Sequence, residues 1–394
     1  GVVSYNPETT DGNGGGGKLG SLSNAEALAL VEELFDDWKN VTMDGFSTVD
    51  LSMTQAEGLG DVNETNIDDH FTYCPPDSFC LTEGFPFNLG SARSGQSPII
   101  FDEEGNLTDL IQGTGASDDI LGFAGPRVVE RTNGVLYITE SQAILNGKFI
   151  DCPEGAASND SCQSPEVTVE EFKGAIFHEL GHFLGLDHVQ VNLSSASAVL
   201  AGDSSKAENI PTMLPIFIDG QAQLTPHYDD QVAVSMLYPT VDFDNNFCVI
   251  QGKIFEVDGV TELQGVNVIA RNESNPTVEA VSFVSGAYYT GDFSDCDAQQ
   301  GNYFLYGIRP GETYSVGIEK ISQSFRGGSS IEPCDPAAKG VDAKTLSGSF
   351  SCSVGGQTIT AGSSGDTNVV TTKEVSAGTT VTTSGSGGGC TLIP

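Results

Sequence analysis

Three of the five histidines lie in one short segment, and this clustering constrains the chain more than any other feature of its sequence. Residues 178–188 read His-Glu-Leu-Gly-His-Phe-Leu-Gly-Leu-Asp-His. On a helix, His178 and His182 lie about 40° apart around the axis and one turn apart along it. Two imidazoles placed in this way can bind one metal ion from the same helix face.

The residues around this segment independently predict a helix over Thr168–Leu184. Thr168 and Glu171 match a capping box at its start, and Gly185 stands where a glycine typically ends a helix. Apolar residues recur at helical spacing and form one stripe for burial. That stripe comprises Val169, Phe172, Ile176, Leu180 and Phe183.

The residues at Glu179, Gly185 and His188 fit a catalytic rather than a structural metal site. Glu179 is rotated by about 100° from His178, so it can reach a metal-bound water but not easily the metal. Gly185 allows a sharp turn that returns His188 as a third nitrogen ligand, and three imidazoles with one open position are typical of catalytic zinc. The alternative is an amphipathic helix with solvated His and Glu side chains, which the extended HExxHxxGxxH spacing disfavours.

Residues 178–188 resemble the zinc-binding motif of the metzincin peptidases at each fixed position. Downstream, Pro211–Pro215 resembles the methionine turn that this clan carries beneath its metal. An ordinary core methionine is the alternative for Met213. The resemblance implies one catalytic Zn²⁺ held by His178, His182 and His188, with Glu179 as the general base. It also implies that Gly185 and Met213 support the site structurally.

Residues 1–240 resemble a matrixin-like catalytic domain within that clan, which implies an α+β fold with a twisted mixed sheet and an active-site helix. Trp38–Val41 resembles the end of that family's first helix, and 121–126 resembles the loop before its substrate-facing strand. Val135–Asn146 is then expected to be the edge strand that pairs with an extended peptide. The ligands of the matrixin structural zinc are not evident.

After Pro239, short β-rich runs alternate with glycine turns, which predicts an all-β sandwich over 246–325 with a Gly/Ser-rich β extension over 326–375. This part resembles the carboxypeptidase regulatory-like, transthyretin-like sandwich. A spacer role and a ligand-binding role both stay open. Residues 376–394 are predicted to form a flexible tether. Within it, Cys390 follows a glycine run and resembles a bacterial surface-attachment point, with a free or intermolecular thiol as the alternative.

The nine cysteines have spacings unlike a zinc ribbon, so they predict disulfides and an oxidising, extracellular compartment. Proximity in sequence groups them in pairs, although connectivity cannot be deduced from sequence. These pairs are Cys74/Cys80, Cys152/Cys162, Cys334/Cys352 and, by remainder, Cys248/Cys296.

Asp and Glu total 54 against 16 Lys and Arg, giving a net charge of -38. This charge argues against nucleic acid and anionic membranes as partners. It indicates solubility, or divalent-cation sites in acidic loops at Asp102–Asn106, Asp118-Asp119 and Asp242–Asn246. Calcium there is a second cofactor hypothesis, with solvated loops as the alternative. No apolar run approaches the ~18 residues of a membrane span, and no stretch near Gly1 is typical of a signal peptide.

These observations predict a secreted or surface-tethered zinc endopeptidase that acts on protein or peptide substrates. A catalytically inactive extracellular adhesion or binding protein on the same scaffold is the alternative. In a third interpretation, the chain is a structural surface protein whose sandwich carries the function.

Overall fold

A computed structural model describes residues 1–10, 16–72, 95–132, 135–152, 166–256, 258, 260–286, 301–321, 341, 343–360 and 389–392. These residues form a mixed α+β structure with several sheets. Its helices are α1 Asn24–Lys39, α2 Asn106–Gln112, α3 Val169–Phe183, α4 Leu193–Leu200, α5 Tyr228–Leu237 and α6 Val241–Asn246. Within this part of the chain, no helix has the length and apolar character needed to cross a membrane.

The strands fall into a larger sheet near the predicted site and smaller sheets elsewhere. Those before α6 are β1 Val2–Pro7, β2 Thr42–Met43, β3 Phe46–Ser47, β4 Ser52–Gln55, β5 Pro98–Asp102, β6 Ile120–Thr132, β7 Val135–Asn146 and β8 Ile216–Phe217. Those after α6 are β9 Cys248–Lys253, β10 Asn267–Asn272, β11 Ala280–Val284, β12 Asn302–Ile308, β13 Tyr314–Glu319, β14 Lys344–Phe350, β15 Thr358–Thr360 and β16 Gly389–Leu392.

The larger sheet has seven strands in the order β4-β1-β5-β7-β6-β16-β8. Strands β4, β1, β5 and β7 are parallel, and β6 runs antiparallel to β7. Helices α1 and α3 share one buried core with this sheet. In that core, Trp38 stacks on Phe177 with ring centroids 4.5 Å apart, and its Nε1 donates to the Phe177 carbonyl at 3.0 Å.

The two long helices begin at capping boxes. Ser23 caps α1 with Glu26 as the reciprocal partner. The predicted pair Thr168 and Glu171 caps α3. Each box satisfies backbone N–H groups that a helix start leaves unpaired, and the predicted extent of α3 is confirmed.

The expectation that Val135–Asn146 forms an edge strand is wrong. Strand β7 pairs with β5 on one side, through Ile99 and Ala143, and with β6 on the other, through Phe123 and Ile144. Over Ala143–Asn146 both edges of β7 are therefore hydrogen-bonded, whereas over 135–142 the described pairing is with β6 alone. Its buried end, at Ala143–Leu145, suits an interior strand. The predicted loop at 121–126 is instead part of β6.

The C-terminal strands form a four-stranded sheet, β11-β10-β13-β14, and a three-stranded sheet, β12-β9-β15. Side chains from both sheets, including Val268, Val316, Ile250 and Leu305, meet in one buried core. Strands β14 and β15 lie in the predicted 326–375 extension and complete the two sheets.

A disulfide joins Cys248 to Cys352. The predicted pairs that join Cys248 to Cys296 and Cys334 to Cys352 are therefore wrong. The physical reason is the pairing of β15 with β9, which brings the chain around Cys352 back to Cys248 across 104 residues. Cys152 is also disulfide-bonded. The remaining cysteines, other than Cys390 in β16, lie outside the described residues: Cys74, Cys80, Cys162, Cys296 and Cys334.

Part of the predicted flexible tether is a β-strand. Residues 389–392 form β16 within the larger sheet, whereas 376–388 lie outside the described residues. Composition predicted a tether because the segment lacks a hydrophobic pattern. However, strands pair through backbone N–H and C=O groups, which nearly every residue carries whatever its side chain. A segment without a hydrophobic pattern can therefore still join a sheet.

Buried polar contacts join α5 to the sandwich. The Tyr228 hydroxyl donates to the Gly307 carbonyl at 2.6 Å. Gly307 has φ +69°, and a Cβ there would lie 2.3 Å from Val232 Cγ2, so this close approach requires glycine. The Asp229 carboxylate accepts from the backbone N–H and hydroxyl of Ser282. The helix that follows the methionine turn is therefore held against the sandwich.

Candidate metal centre

The end of α3 positions the three predicted metal ligands. Gly185 follows the Leu184 cap with φ +99°, the left-handed conformation that favours glycine. The Leu186 N–H donates back to the Gly181 carbonyl at 3.0 Å, as in a Schellman motif. The predicted role of Gly185 in ending the helix is confirmed, and the turn brings His188 back toward α3.

The three imidazoles converge through their Nε2 atoms. His188 Nε2 lies 3.2 Å from His178 Nε2 and 3.0 Å from His182 Nε2. The ligand atoms of all three residues lie within 4.8 Å of one another. The sequence prediction that these histidines meet is confirmed, and the cluster could bind a metal ion.

Hydrogen bonds on the opposite side of two rings fix which nitrogens face the cluster. His178 Nδ1 donates to the Thr212 carbonyl at 2.7 Å, and His182 Nδ1 donates to the Leu186 carbonyl at 2.7 Å. A carbonyl oxygen can only accept, so in the neutral ring Nδ1 carries the proton and Nε2 keeps its lone pair. Such outer hydrogen bonds orient metal-binding histidines in proteins.

Burial also keeps these rings neutral. Desolvation lowers the pKa of His178 to about 4 and lowers the pKa of His182 well below its usual value. At neutral pH both rings therefore hold lone pairs that need no deprotonation before metal binding. The Nε2 lone pairs of His178 and His182 are both acceptors, so they cannot hydrogen-bond to each other. A cation placed between them can interact favourably with both. The donor set therefore fits a metal ion.

Glu179 lies beside the cluster and is fully buried. Its carboxylate is not grouped with the three histidine nitrogens that converge here. Gly122 of β6 lies against this side chain, since a Cβ at Gly122 would be 2.9 Å from Glu179 Cγ. Glu179 therefore occupies the boundary between α3 and β6.

Met213 packs beneath α3 and is buried. A Cβ at Gly181 would lie 2.5 Å from Met213 Sδ, so the sulfur fills the space opened by that glycine. The Met213 carbonyl accepts the Val189 N–H at 2.9 Å. The turn therefore contacts both the helix and the segment just after His188.

Asp230 is a site residue that sequence reasoning missed. Its buried carboxylate accepts the N–H groups of Thr212 at 2.8 Å, Met213 at 3.1 Å and His227 at 2.8 Å. Burial raises its pKa to about 6, although these three hydrogen bonds oppose the rise. The available sequence signal was the acidic pair at the start of α5, because Asp230 completes a capping box with His227.

The acidic loops serve other roles where the structure describes them. Asp102 caps α2 by accepting the N–H groups of Leu107 and Thr108, and Asp118 pairs with Lys148 at 2.6 Å. In the described part of the chain, none of the three loops brings three side-chain ligands together. Calcium stays a prediction. Cys390, the suggested attachment point, lies in β16 opposite Gly122.

Comparisons of this chain with protein-family models, curated proteins and solved structures found no match. The metzincin resemblance of residues 178–188 therefore stays an expectation.

Proposed function

We propose that the chain is a zinc-dependent endopeptidase of the metzincin type, with a matrixin-like catalytic part followed by a transthyretin-like sandwich. One observation carries the proposal: three Nε2 atoms converge at 3.0 and 3.2 Å at the end of a buried helix. The HExxHxxGxxH sequence and the buried Met213 support it. An amphipathic helix with solvated histidines does not account for rings as buried as His178 and His182.

His178, His182 and His188 would hold the zinc ion. Zinc suits a site built from neutral imidazoles with an open position. When bound, it would supply Lewis-acid chemistry by polarising the scissile carbonyl and lowering the pKa of water. The chain fixes two of the ligands through the Thr212 and Leu186 carbonyls.

Glu179 would act as the general base. Its carboxylate would accept a proton from the attacking water as the new C–O bond forms. It would then deliver that proton to the amine nitrogen as the C–N bond breaks. The position of Glu179 between α3 and β6 supports this role, because it lies next to the strand along which a peptide would bind.

Strand β6, rather than β7, would bind the substrate backbone, along the edge that faces away from β7 and that residues 389–392 occupy as β16. An extended peptide can add to a sheet by main-chain hydrogen bonds, with side-chain pockets giving specificity. Leu214 and Ile216 are apolar and buried just after Met213. They would form part of the pocket for the residue that follows the scissile bond.

The location we propose is extracellular, either secreted or tethered to the cell surface. The Cys248–Cys352 disulfide supports it, because disulfides persist in oxidising compartments. The net charge of -38 suits a soluble protein.

The proposal is tested by casein hydrolysis before chelation, after chelation and after zinc is restored. We expect loss of cleavage with chelator and recovery on adding one equivalent of zinc. His188→Ala should abolish both tight zinc binding and cleavage, whereas His70→Ala, outside the cluster, should retain both. Zinc binding without any cleavage would favour the inactive binding protein.

A further inference from the structure

The position between β6 and β8 is a slot one strand wide. On its inner side, β6 is paired with β7, through Gly122 and Leu145. On the outer side of the slot, β8 pairs with β16 and with no other described strand. Neighbouring strands lie about 4.8 Å apart. The gap between β6 and β8 therefore has room for one extended segment, hydrogen-bonded to both.

The chain's own residues 389–392 fill this slot as β16. They run antiparallel to β6, with Gly389 opposite Phe123 and Cys390 opposite Gly122. They run parallel to β8, with Leu392 opposite Phe217. Both edges of the slot are therefore hydrogen-bonded to the same segment.

The slot passes beside Glu179, the proposed general base. Gly122 faces Cys390 in the register, and a Cβ at Gly122 would lie 2.9 Å from Glu179 Cγ. Strand β8 follows Met213 by a few residues of sequence. A segment in this position therefore lies alongside the proposed base and the methionine turn.

We propose that residues 389–392 act as a built-in competitor that occupies the peptide-binding slot of the same chain and must leave before a substrate enters. The proposal rests on the endopeptidase function, because that function assigns the β6 edge to the substrate. The segment 387–394 carries no charged side chain, so it can lie in a strongly acidic protein without repulsion. Attachment to the same chain makes its pairing intramolecular, which favours it over a dilute free peptide.

Backbone pairing makes the proposal testable in the full chain. Successive residues of a strand direct their N–H groups to opposite neighbours. Replacing Thr391 and Leu392 together with proline therefore removes one donor toward each side. The matched control is Thr391→Ala with Leu392→Ala, which retains both N–H groups. The probe is a fluorescent synthetic peptide that comprises residues 387–394.

We expect the proline variant to bind the probe at least 10-fold more tightly than the wild type or the alanine control, in metal-free protein. Amide exchange at 120–123 and 216–217 should accelerate only in the proline variant, while the amides at 143–145 stay protected and show that the fold is intact. With zinc, the proline variant should cleave a short quenched peptide at least 10-fold faster, and the unlabelled probe should inhibit it competitively.

Two results separate this proposal from the proposed function. If probe binding and exchange change as expected but no variant cleaves any peptide, the competitor is supported and the endopeptidase function fails. If all three chains cleave the quenched peptide equally and exchange equally at 120–123, the competitor is overturned while the endopeptidase function stands.

Discussion

The carboxylate of Asp230 accepts the backbone N–H of Thr212 at 2.8 Å. The carbonyl of the same Thr212 accepts the Nδ1 proton of His178 at 2.7 Å. One peptide segment thus links a buried carboxylate on α5 to a predicted metal ligand on α3. Asp230 therefore positions His178 through Thr212, and it is not one of the three residues that could bind a metal ion.

Asp230→Ala should weaken zinc binding by roughly 10- to 100-fold, as loss of an outer hydrogen-bonding partner does at other metal sites. It should also lower the free energy of unfolding by about 3 kcal/mol, because three N–H groups lose their acceptor. Chelator competition measures the affinity, and urea unfolding of metal-free protein measures the stability. Asp119→Ala, an exposed substitution, is the control. Unchanged zinc affinity in Asp230→Ala would show that the link to His178 is not functional.

Gly122→Ala should reduce peptide cleavage by about 100-fold, because small displacements at an active site cost about that much. The reason is steric, since the new Cβ would lie 2.9 Å from Glu179 Cγ and 3.0 Å from the Ile144 carbonyl. Zinc content should stay at one per chain, because Gly122 is not one of the three predicted ligands. Steady-state kinetics and metal analysis check both points. Full activity would mean that Glu179 does not need this contact.

Asp229 should make stability fall as pH rises. Burial, together with the charge of Asp230, raises the pKa of Asp229 to about 8. Between its unfolded pKa near 3.8 and this value the folded state keeps a proton that the unfolded state has lost. The free energy of unfolding then decreases with pH by up to about 1.4 kcal/mol per unit.

Urea unfolding of the wild type and Asp229→Asn between pH 5 and pH 9 tests this linkage, because asparagine cannot titrate. We expect the variant to lose less stability than the wild type over this range. Asp119→Asn, which is exposed, should follow the wild type. If the free energy of unfolding of Asp229→Asn and of the wild type changed equally with pH, Asp229 would not be the source of the pH dependence.

The Cys248–Cys352 disulfide should contribute about 3 to 5 kcal/mol, because it closes a loop across 104 residues. Cys248→Ser with Cys352→Ser should therefore unfold at clearly lower urea concentration. Peptide mapping without reduction should recover a fragment that links the two cysteines. Recovery of Cys248 linked to Cys296 instead would refute this connectivity.

Local rules predicted how the histidine cluster is built. The helical spacing of His178 and His182 and the left-handed turn at Gly185 depend on neighbours in sequence, and the structure has both. The capping box at Thr168 belongs to the same class. Such features are readable because a helix determines which nearby residues share a face.

Features that depend on strand order could not be predicted in the same way. The interior position of β7, the Cys248–Cys352 pair and the insertion of β16 all follow from pairing between distant segments. Register and neighbour choice in a sheet leave little trace in composition. Asp230 was missed for a related reason, since its partners Thr212 and Met213 lie on a separate loop.

The most direct test of the central claim is zinc content and peptide cleavage measured together on the wild type and Glu179→Gln. We expect one zinc per chain in both proteins and a loss of turnover of about 10²- to 10⁴-fold in the variant, the usual contribution of a general base. Since residues 389–392 occupy the slot, both chains should also be measured with Thr391 and Leu392 replaced by proline. Cleavage at the wild-type rate by Glu179→Gln, or a wild type that binds no zinc, would contradict the proposed zinc endopeptidase function.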